Sequence, residues 1–400
     1  MEIRFARRMS AVKPSTIREI LKVTEQADII SFAGGLPAPE LFPVAQVSAA
    51  CERVLREGGP GALQYGPSEG FAPLRECFAE ESRKRGIQCT ADDILITTGS
   101  QQPLDLVSKI FLDAGDCVLT ESPTYMAALQ AFQTYEARFA AAPTDENGLI
   151  PEALPALVER ERPRFLYTIP SFQNPTGVTM TAERRRKVYE IAKRYGLIVL
   201  EDDPYGALRY AGKHIAPIKS LDTEGLVIYL STVSKTIAPG LRLGWVVASE
   251  QIRKKLIIVK QAADLHTSSL DQRVAHRYLT DFDSDAHVER IRQSYGERFS
   301  VMDAALRETM PKGFTWTHPE GGMFLWVTCP EGIDTSEMML EALKCKVLFV
   351  PGRDFFPDAS GKRYMRLNFS NASPDKIREG IGRLAKVCHE AITPSVVIAS

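Results

Sequence analysis

The sequence Ser231-Thr-Val-Ser-Lys-Thr-Ile-Ala-Pro-Gly-Leu-Arg242 directly follows an apolar run at residues 226–230, and that run predicts a buried β-strand. Lys235 and Ser234 therefore lie just past a strand end, with Arg242 seven residues beyond the lysine. Near other cations in a confined site the pKa of a lysine amine falls. Such an amine can form a Schiff base with an aldehyde cofactor, and a serine with an arginine suits an anchoring phosphate. A solvated lysine in a surface loop is the alternative interpretation.

Size and composition favour a large enzyme with no polyanionic partner. The chain has 400 residues, of which 44% are hydrophobic, and this suffices for two domains. Lys and Arg (49) nearly cancel Asp and Glu (50), so there is no overall field to attract nucleic acid or an anionic membrane. The first residues lack the apolar run of a signal peptide, and no apolar stretch is long enough to span a bilayer. We expect a soluble cytoplasmic protein with no nucleic-acid or membrane partner.

Cysteine and histidine usage gives no sign of a disulfide framework or a metal site. Seven cysteines, an odd number, are scattered without C-x-x-C spacing, which suits a reducing compartment. The six histidines are dispersed as well. We therefore expect no bound metal.

From residue 93 onward, short apolar runs alternate with amphipathic segments. This order predicts an α/β fold with a mostly parallel, seven-stranded sheet, helices on both faces and a smaller α+β region after it. The predicted strands are residues 94–97, 117–120, 138–141, 164–169, 197–200, 226–230 and 244–248. In such sheets ligands bind beyond the carboxyl ends of the strands.

Polar and aromatic residues follow several of these predicted strands. Ser100 and Gln101 open a helix after a glycine, where a phosphate could bind, although Ser100 could be only an N-cap. Tyr125 could stack on a planar cofactor or simply pack. Asn174 is either a turn residue before proline or a donor in the cleft. Asp202 ends a strand among carboxylates and would suit a protonated pyridine nitrogen, or else magnesium, although no phosphate-binding Gly-x-x-x-x-Gly-Lys loop accompanies it.

Further candidates lie outside the predicted sheet. Gly35 is in a Gly- and Pro-rich loop that could approach a ligand closely or merely turn. Ser15 can cap a short amphipathic helix that contains Arg18. Tyr65 is in a polar loop and by default is a partly buried aromatic residue. Arg366 lies within an apolar strand, so it requires an anionic partner, which is either a substrate carboxylate or a structural acid.

Together these pieces resemble a fold-type I pyridoxal-phosphate-dependent aminotransferase of class I and II. The matching marks are Asn174-Pro-Thr-Gly, Asp202-x-x-Tyr205, Ser234-Lys235 with Arg242, and Arg366. Their order and spacing are far more specific than any one motif, and the resemblance covers the chain from about residue 15. Within the class, the phrases ALQYGPSEG (62–70), ITTGSQQPLDLV (96–107), PSFQNPTG (170–177) and ADLHT (263–267) resemble the 2-aminoadipate and kynurenine aminotransferase II group.

The resemblance implies a role for each cofactor-binding residue. Lys235 would hold pyridoxal 5′-phosphate covalently and move a proton, while Asp202 would keep the pyridine nitrogen protonated. Asn174 and Tyr205 would bind the phenolate oxygen, and Tyr125 would stack on the ring. The phosphate would be bound by Ser100, Gln101, Ser234 and Arg242, with Tyr65 reaching in from the neighbouring subunit of a homodimer.

It also implies the substrate contacts and the domain organisation. Arg366 would bind the substrate α-carboxylate. Gly35 and the Ser15–Arg18 helix would lie over the substrate, with Arg18 recognising an acidic side chain. Residues 1–44 would form an arm of the small domain, residues 45–290 the large cofactor-binding domain, and residues 291–400 the small α+β domain.

Transamination between 2-aminoadipate, or another large amino donor, and 2-oxoglutarate is the predicted activity, through a ping-pong cycle. A broad aromatic or branched-chain aminotransferase, and a lyase or decarboxylase on the same fold, are the enzymatic alternatives. A transcription regulator with an aminotransferase-like domain is the alternative from another class. It needs a DNA-binding domain ahead of the fold, and we expect none because the resemblance begins about fifteen residues in.

Overall fold

The computed structural model describes residues 3–10 and 28–392. The strands of the described residues are β1 (Ile30–Ser31), β2 (Ile94–Thr97), β3 (Cys117–Ser122), β4 (Arg138–Asp145), β5 (Gly148–Leu149), β6 (Phe165–Thr168), β7 (Ile198–Asp202), β8 (Val227–Thr232), β9 (Gly244–Val247), β10 (Thr315–Trp316), β11 (Phe324–Thr328), β12 (Val347–Leu348), β13 (Val350–Pro351) and β14 (Tyr364–Asn368). The α-helices are α1 (Val44–Gly58), α2 (Ala72–Lys84), α3 (Gln101–Phe111), α4 (Met126–Gln133), α5 (Leu154–Glu161), α6 (Ala182–Tyr195), α7 (Glu250–Asp264), α8 (Ser269–Asp281), α9 (Ser284–Thr309), α10 (Thr335–Lys344) and α11 (Pro374–Ile392).

The central sheet has the strand order β2-β9-β8-β7-β6-β3-β4-β5. Strands β3, β4, β6, β7 and β8 are parallel to one another, whereas β9 is antiparallel to both β2 and β8. All seven predicted strands form, so the mostly parallel α/β sheet is confirmed. The count is corrected to eight by β5, a two-residue strand that pairs antiparallel with β4 after a tight turn. Two residues are too short to give a periodic signal in sequence.

The sheet is covered on both faces, as predicted. Successive residues of β8 point to opposite faces of the sheet, so they contact different sets of helices. Ile228 and Leu230 pack with α3, α4 and α7, whereas Val227 and Tyr229 pack with α2, α5, α6 and α8. Every residue of β2, β6, β8 and β9 is buried. These strands therefore read as continuous apolar runs rather than as an alternating pattern.

The C-terminal part of the chain has its own core. A four-stranded antiparallel sheet, ordered β10-β11-β14-β13, packs with α9 and α11 in one apolar cluster. The short strand β1 pairs in parallel with β12, which brings the N-terminal segment onto this part of the molecule. The division at residues 44 and 290 stays a prediction, and position 290 falls inside the continuous helix α9.

The parallel strands position the candidate site. Because their carboxyl ends meet at one edge, the loops after β3, β6, β7 and β8 bring Tyr125, Asn174, Asp202 and Lys235 together there. Within residues 3–10 and 28–392, no helix is both long and apolar enough to cross a membrane.

Candidate functional site

A cavity of about 360 Å³ lies at this edge of the sheet and collects most of the predicted site residues. Those that line it are Gly35, Ser100, Gln101, Tyr125, Asn174, Asp202, Tyr205, Ser234, Lys235, Arg242 and Arg366. They come from the N-terminal segment, the large sheet and the C-terminal sheet, so the cavity lies where the two cores meet.

The Lys235 amine lies beside two arginines and a backbone carbonyl. Its Nζ donates a hydrogen bond to the Gly35 carbonyl oxygen at 2.9 Å. Burial, with smaller contributions from Arg242 and Arg366, lowers the pKa of Lys235 to about 8. An ammonium ion is disfavoured there because it leaves water and meets like charges. A substantial fraction of the amine is therefore neutral, and hence nucleophilic, near neutral pH.

Asp202 presents a buried carboxylate oxygen that has no hydrogen-bond partner among the described residues. Its Oδ2 accepts a hydrogen bond from the Tyr167 hydroxyl at 2.9 Å, whereas Oδ1 is the unpaired atom. Burial raises the pKa of Asp202 to about 7; the hydrogen bond from Tyr167 opposes this rise, and the charge of Asp203 adds to it. An unpaired buried oxygen of this kind fits a cationic N–H group, such as a protonated pyridine nitrogen.

The two carboxylates beside Asp202 in sequence have other partners. Glu201 accepts two backbone N–H bonds, each at 2.8 Å, and Asp203 pairs with Arg85 at 3.3 Å. Strand alternation turns both of them to the opposite face of the sheet from Asp202. Only Asp202 of the three lines the cavity.

Arg242 lies against the loop before α3, and Ser234 lines the same cavity. The first N–H groups of a helix have no carbonyl partner within it and attract anions. Ser100 precedes α3 and its side chain makes no capping hydrogen bond, so its hydroxyl is not used as an N-cap. Gly99 has a φ of +70°, and a Cβ there would collide with the Arg242 guanidinium. A glycine at this position therefore allows the cation to approach the loop before α3.

Arg366 is 2% exposed, and no carboxylate among the described residues pairs with it. Its Nη1 donates to Asn174 Oδ1 at 2.8 Å and its Nη2 to the Ala33 carbonyl at 2.7 Å, while Nε has no partner. The guanidinium carbon lies 4.1 Å from the centre of the Phe324 ring. Burial lowers the pKa of Arg366 to about 10. The structural-acid alternative is thus excluded for the described part of the chain, and donors remain for an incoming carboxylate.

Three polar or aromatic residues surround the rest of the cavity. Asn174 is buried and bound to Arg366, so it is not merely a turn residue before proline. Burial raises the pKa of the Tyr205 phenol, so it is a neutral donor at physiological pH. The Tyr125 hydroxyl lies 3.5 Å from Gln101 Oε1, which ties that ring to the start of α3.

Of the predicted site residues that the structure describes, Tyr65 does not line this cavity. Tyr65 is 78% exposed and packs edge-on against His266, with ring centres 5.7 Å apart. It is therefore not the partly buried aromatic residue that its loop suggested, and within its own subunit it does not reach the site. Ser15 and Arg18 lie outside the described residues.

Sequence analysis missed two residues that support the site. Tyr167 holds Asp202 through its hydroxyl, and Phe324 packs beneath Arg366. A signal for the first existed, since a tyrosine in a strand that is buried on both faces needs a partner for its hydroxyl. Phe324 gave no such signal because its apolar strand explains it fully.

Within residues 3–10 and 28–392, this α/β fold brings together a buried lysine, an unpaired carboxylate oxygen and an arginine without an acid partner. Such a set suits the class of enzymes that act on amino acids through a pyridine-based aldehyde. The chain belongs to the aminotransferase class I and II family, whose model matches residues 28–384. The described residues include no group of three or more His, Cys, Asp or Glu that could hold a metal ion.

Known relatives match almost the whole chain. It is 47% identical to aromatic-amino-acid aminotransferase 1 of Thermococcus litoralis, with 96% of this chain and 94% of that protein covered. It is 43% identical to the 2-aminoadipate transaminase of Thermus thermophilus, with 96% of each covered. The structure of Pyrococcus horikoshii kynurenine aminotransferase in complex with PMP superimposes with a TM-score of 0.93 at 44% identity, covering 97% of this chain and 98% of that one.

These comparisons confirm the fold-type I architecture and pyridoxal 5′-phosphate as the cofactor of this enzyme. The residues that line the cavity also suit this cofactor chemically. The cavity offers an amine for the aldehyde, an unpaired carboxylate for the ring nitrogen, and a helix start with a serine and an arginine for the phosphate.

Proposed function

We propose that this enzyme transfers the amino group of a large amino acid, 2-aminoadipate or an aromatic one, to 2-oxoglutarate by a ping-pong cycle. The observation that carries the proposal is Arg366, a buried cation with spare donors and no acid partner within residues 3–10 and 28–392. It lies in the same cavity as the Lys235 amine. An α-amino acid presents a carboxylate next to its amino group, so one substrate satisfies both residues.

We assign the cofactor contacts from the cavity walls. Ser100, Gln101, Ser234 and Arg242 would bind the phosphate. Asp202 would bind the ring nitrogen, and its charge would keep that nitrogen protonated. Pyridoxal 5′-phosphate, when bound, supplies an electron sink for negative charge that develops at the substrate α-carbon.

The remaining side chains would orient the ring. Tyr125 would lie against its face, while Asn174 and Tyr205 would donate hydrogen bonds to its phenolate oxygen. The amide of Asn174 is already fixed by Arg366, which accounts for one side chain serving both the cofactor and the substrate-binding arginine.

Lys235 would both bind the aldehyde carbon and carry the proton. When the substrate amine takes its place, a pKa near 8 would leave about one Lys235 amine in ten neutral at pH 7, and in that form Nζ would take the proton from the α-carbon. The Gly35 carbonyl, which accepts from Nζ at 2.9 Å, would hold the displaced amine in the cavity. Lys235 would return that proton at a different atom, and water would supply the oxygen of the released 2-oxo acid while the amino group stays with the cofactor.

A broad aromatic specificity is the second candidate function. It is favoured by the 47% identity to an aromatic-amino-acid aminotransferase, against 43% to a 2-aminoadipate transaminase. The 2-aminoadipate proposal requires a cation for the distal carboxylate, and Arg18 is the residue that we assign to it, with Ser15 and Gly35 covering the substrate.

A homodimer would complete the site. Tyr65 is exposed on its loop. The loop itself is held by a hydrogen bond from the Gly66 N–H to His266 Nε2 at 3.3 Å. We assign the Tyr65 hydroxyl to the phosphate of the neighbouring subunit. The cytoplasmic location stays a prediction.

Donor-dependent absorbance spectra of the loaded enzyme test this function. A panel of 2-aminoadipate, phenylalanine, kynurenine, leucine and glutamate is added, followed by 2-oxoglutarate. We expect a large donor to convert the cofactor band and 2-oxoglutarate to restore it, and the ranking of donors separates the two candidates. A band that no donor converts, with other products released, would overturn transamination.

A further inference from the structure

A polar cluster around the fully buried Lys260 lies beside the start of α3, outside the cavity. Its members are Thr98, Gln102, Lys260, Asp264 and Thr267. The Lys260 side chain has no exposed surface at all. A fully buried lysine is costly unless it is paired and hydrogen-bonded, so its position calls for a reason.

The Lys260 amine is completely satisfied. Its Nζ lies 2.8 and 2.9 Å from the two carboxylate oxygens of Asp264, four residues further along α7. It also donates to Gln102 Oε1 and to Thr267 Oγ1, each at 3.0 Å. The ion pair thus reaches out of its own helix to two other segments of the chain.

One of these segments is the loop that precedes α3. Gln102 Oε1, already bound to Lys260, also accepts the backbone N–H of Thr98 at 2.9 Å. Gln102 Nε2 and Thr98 Oγ1 both donate to Asp264 Oδ2, at 2.7 and 3.0 Å. The cluster therefore holds residues 98 and 102 by hydrogen bonds, and these two residues flank Ser100 and Gln101.

The other segment contains His266 and Thr267, and it contacts the loop of Tyr65. Thr98 Oγ1 is 3.2 Å from Thr267 Oγ1, and the Thr267 carbonyl is 2.8 Å from His266 Nδ1. His266 in turn contacts Gly66 and the Tyr65 ring. The ion pair of the buried Lys260 with the partly exposed Asp264 thus connects two elements, both of which we assign to phosphate binding.

We propose that Lys260, together with Asp264, is a positioning residue for the cofactor phosphate. Neither side chain lines the cavity. The pair instead fixes the conformation of residues 98–102, so that the N–H groups at the start of α3 and the Ser100 hydroxyl are pre-arranged for the anion. This rests on the proposed role of those residues in phosphate binding.

The test compares two ligands that differ only in the phosphate. Unloaded wild-type protein and the Lys260→Met variant are titrated with pyridoxal 5′-phosphate and with pyridoxal, and dissociation constants are read from the absorbance change. We expect the variant to lose about tenfold or more in affinity for the phosphorylated ligand, the size expected when charge-assisted bonds that order a loop are removed. Its affinity for pyridoxal should stay within about threefold.

Lys219→Met is the matched control. Lys219 is also a buried lysine in an ion pair, with Asp222 at 2.8 Å, but it bonds the carbonyl at the start of β8, at the opposite end of the strand from the site. It should lose stability without changing the preference for the phosphorylated ligand. Should Lys260→Met not fold, Asp264→Asn removes the same charge pair and should show the same selective loss.

The outcomes distinguish a failure of the positioning role of Lys260 from a failure of the proposed phosphate site. Equal losses for the two ligands, or an unchanged preference in a folded variant, would mean that the ion pair is purely structural. A wild-type protein without any preference for the phosphorylated ligand would refute the phosphate site itself.

Discussion

The lowered pKa of Lys235 makes a quantitative prediction about its reactivity. A lysine with an ordinary pKa near 10.5 has about one amine in 3,000 neutral at pH 7, whereas a pKa of about 8 leaves about one in ten neutral. Since only the neutral amine attacks an aldehyde, we expect Lys235 to react about 300-fold faster at pH 7 than its ordinary pKa would allow.

Stopped-flow absorbance after mixing unloaded enzyme with pyridoxal measures this rate. Pyridoxal lacks the phosphate, so the experiment reports on the amine alone. Nα-acetyl-lysine, whose side-chain amine is free, is measured under the same conditions to correct for titration of the ligand. The absorbance change that is lost in the Lys235→Ala variant is the one due to Lys235. The corrected rate should rise with pH, reach its midpoint near pH 8 and then level off.

Arg242→Gln provides a graded check. Burial is the largest cause of the lowered pKa and Arg242 the second, so the variant should move the midpoint upward but not as far as 10.5. A wild-type midpoint near 10.5 would refute the reasoning, because the amine would then be as well solvated as a surface lysine.

Two further substitutions test the neighbours of Lys235. Arg366→Met should lower kcat/KM for every amino donor by about 100-fold or more, because a buried charge-assisted contact with the carboxylate is lost, while cofactor uptake through Lys235 stays in place. A selective effect on one donor would contradict this. Asp202→Asn should leave cofactor uptake through Lys235 in place but lower turnover by about 100-fold or more, because the amide cannot hold the ring nitrogen protonated. Single-turnover kinetics with a saturating donor measure this loss. Near-wild-type turnover would refute the role of Asp202 at the ring nitrogen.

Sequence patterns sufficed for the sheet because its strands are apolar on both faces and are separated by amphipathic helices. Residues 226–230 predicted β8, and the polar residues after β3, β6, β7 and β8 were correctly expected at one edge. Patterns failed at β5, whose two residues carry no periodicity, and at Tyr65, whose exposure depends on which elements pack against its loop.

The sequence by itself determined which chemical groups this protein brings to its site: a lysine, a carboxylate, an arginine and a helix start, each local to a strand end or a short motif. Only the tertiary structure decided their electrostatic state, because burial and partners come from residues distant in the chain. Among the described residues, Asp202 has a hydrogen-bond partner for only one oxygen, and that partner is Tyr167 from a neighbouring strand. The ion pair of Lys260 and Asp264 contacts residues more than 150 positions away, and no local pattern encodes a contact over that separation.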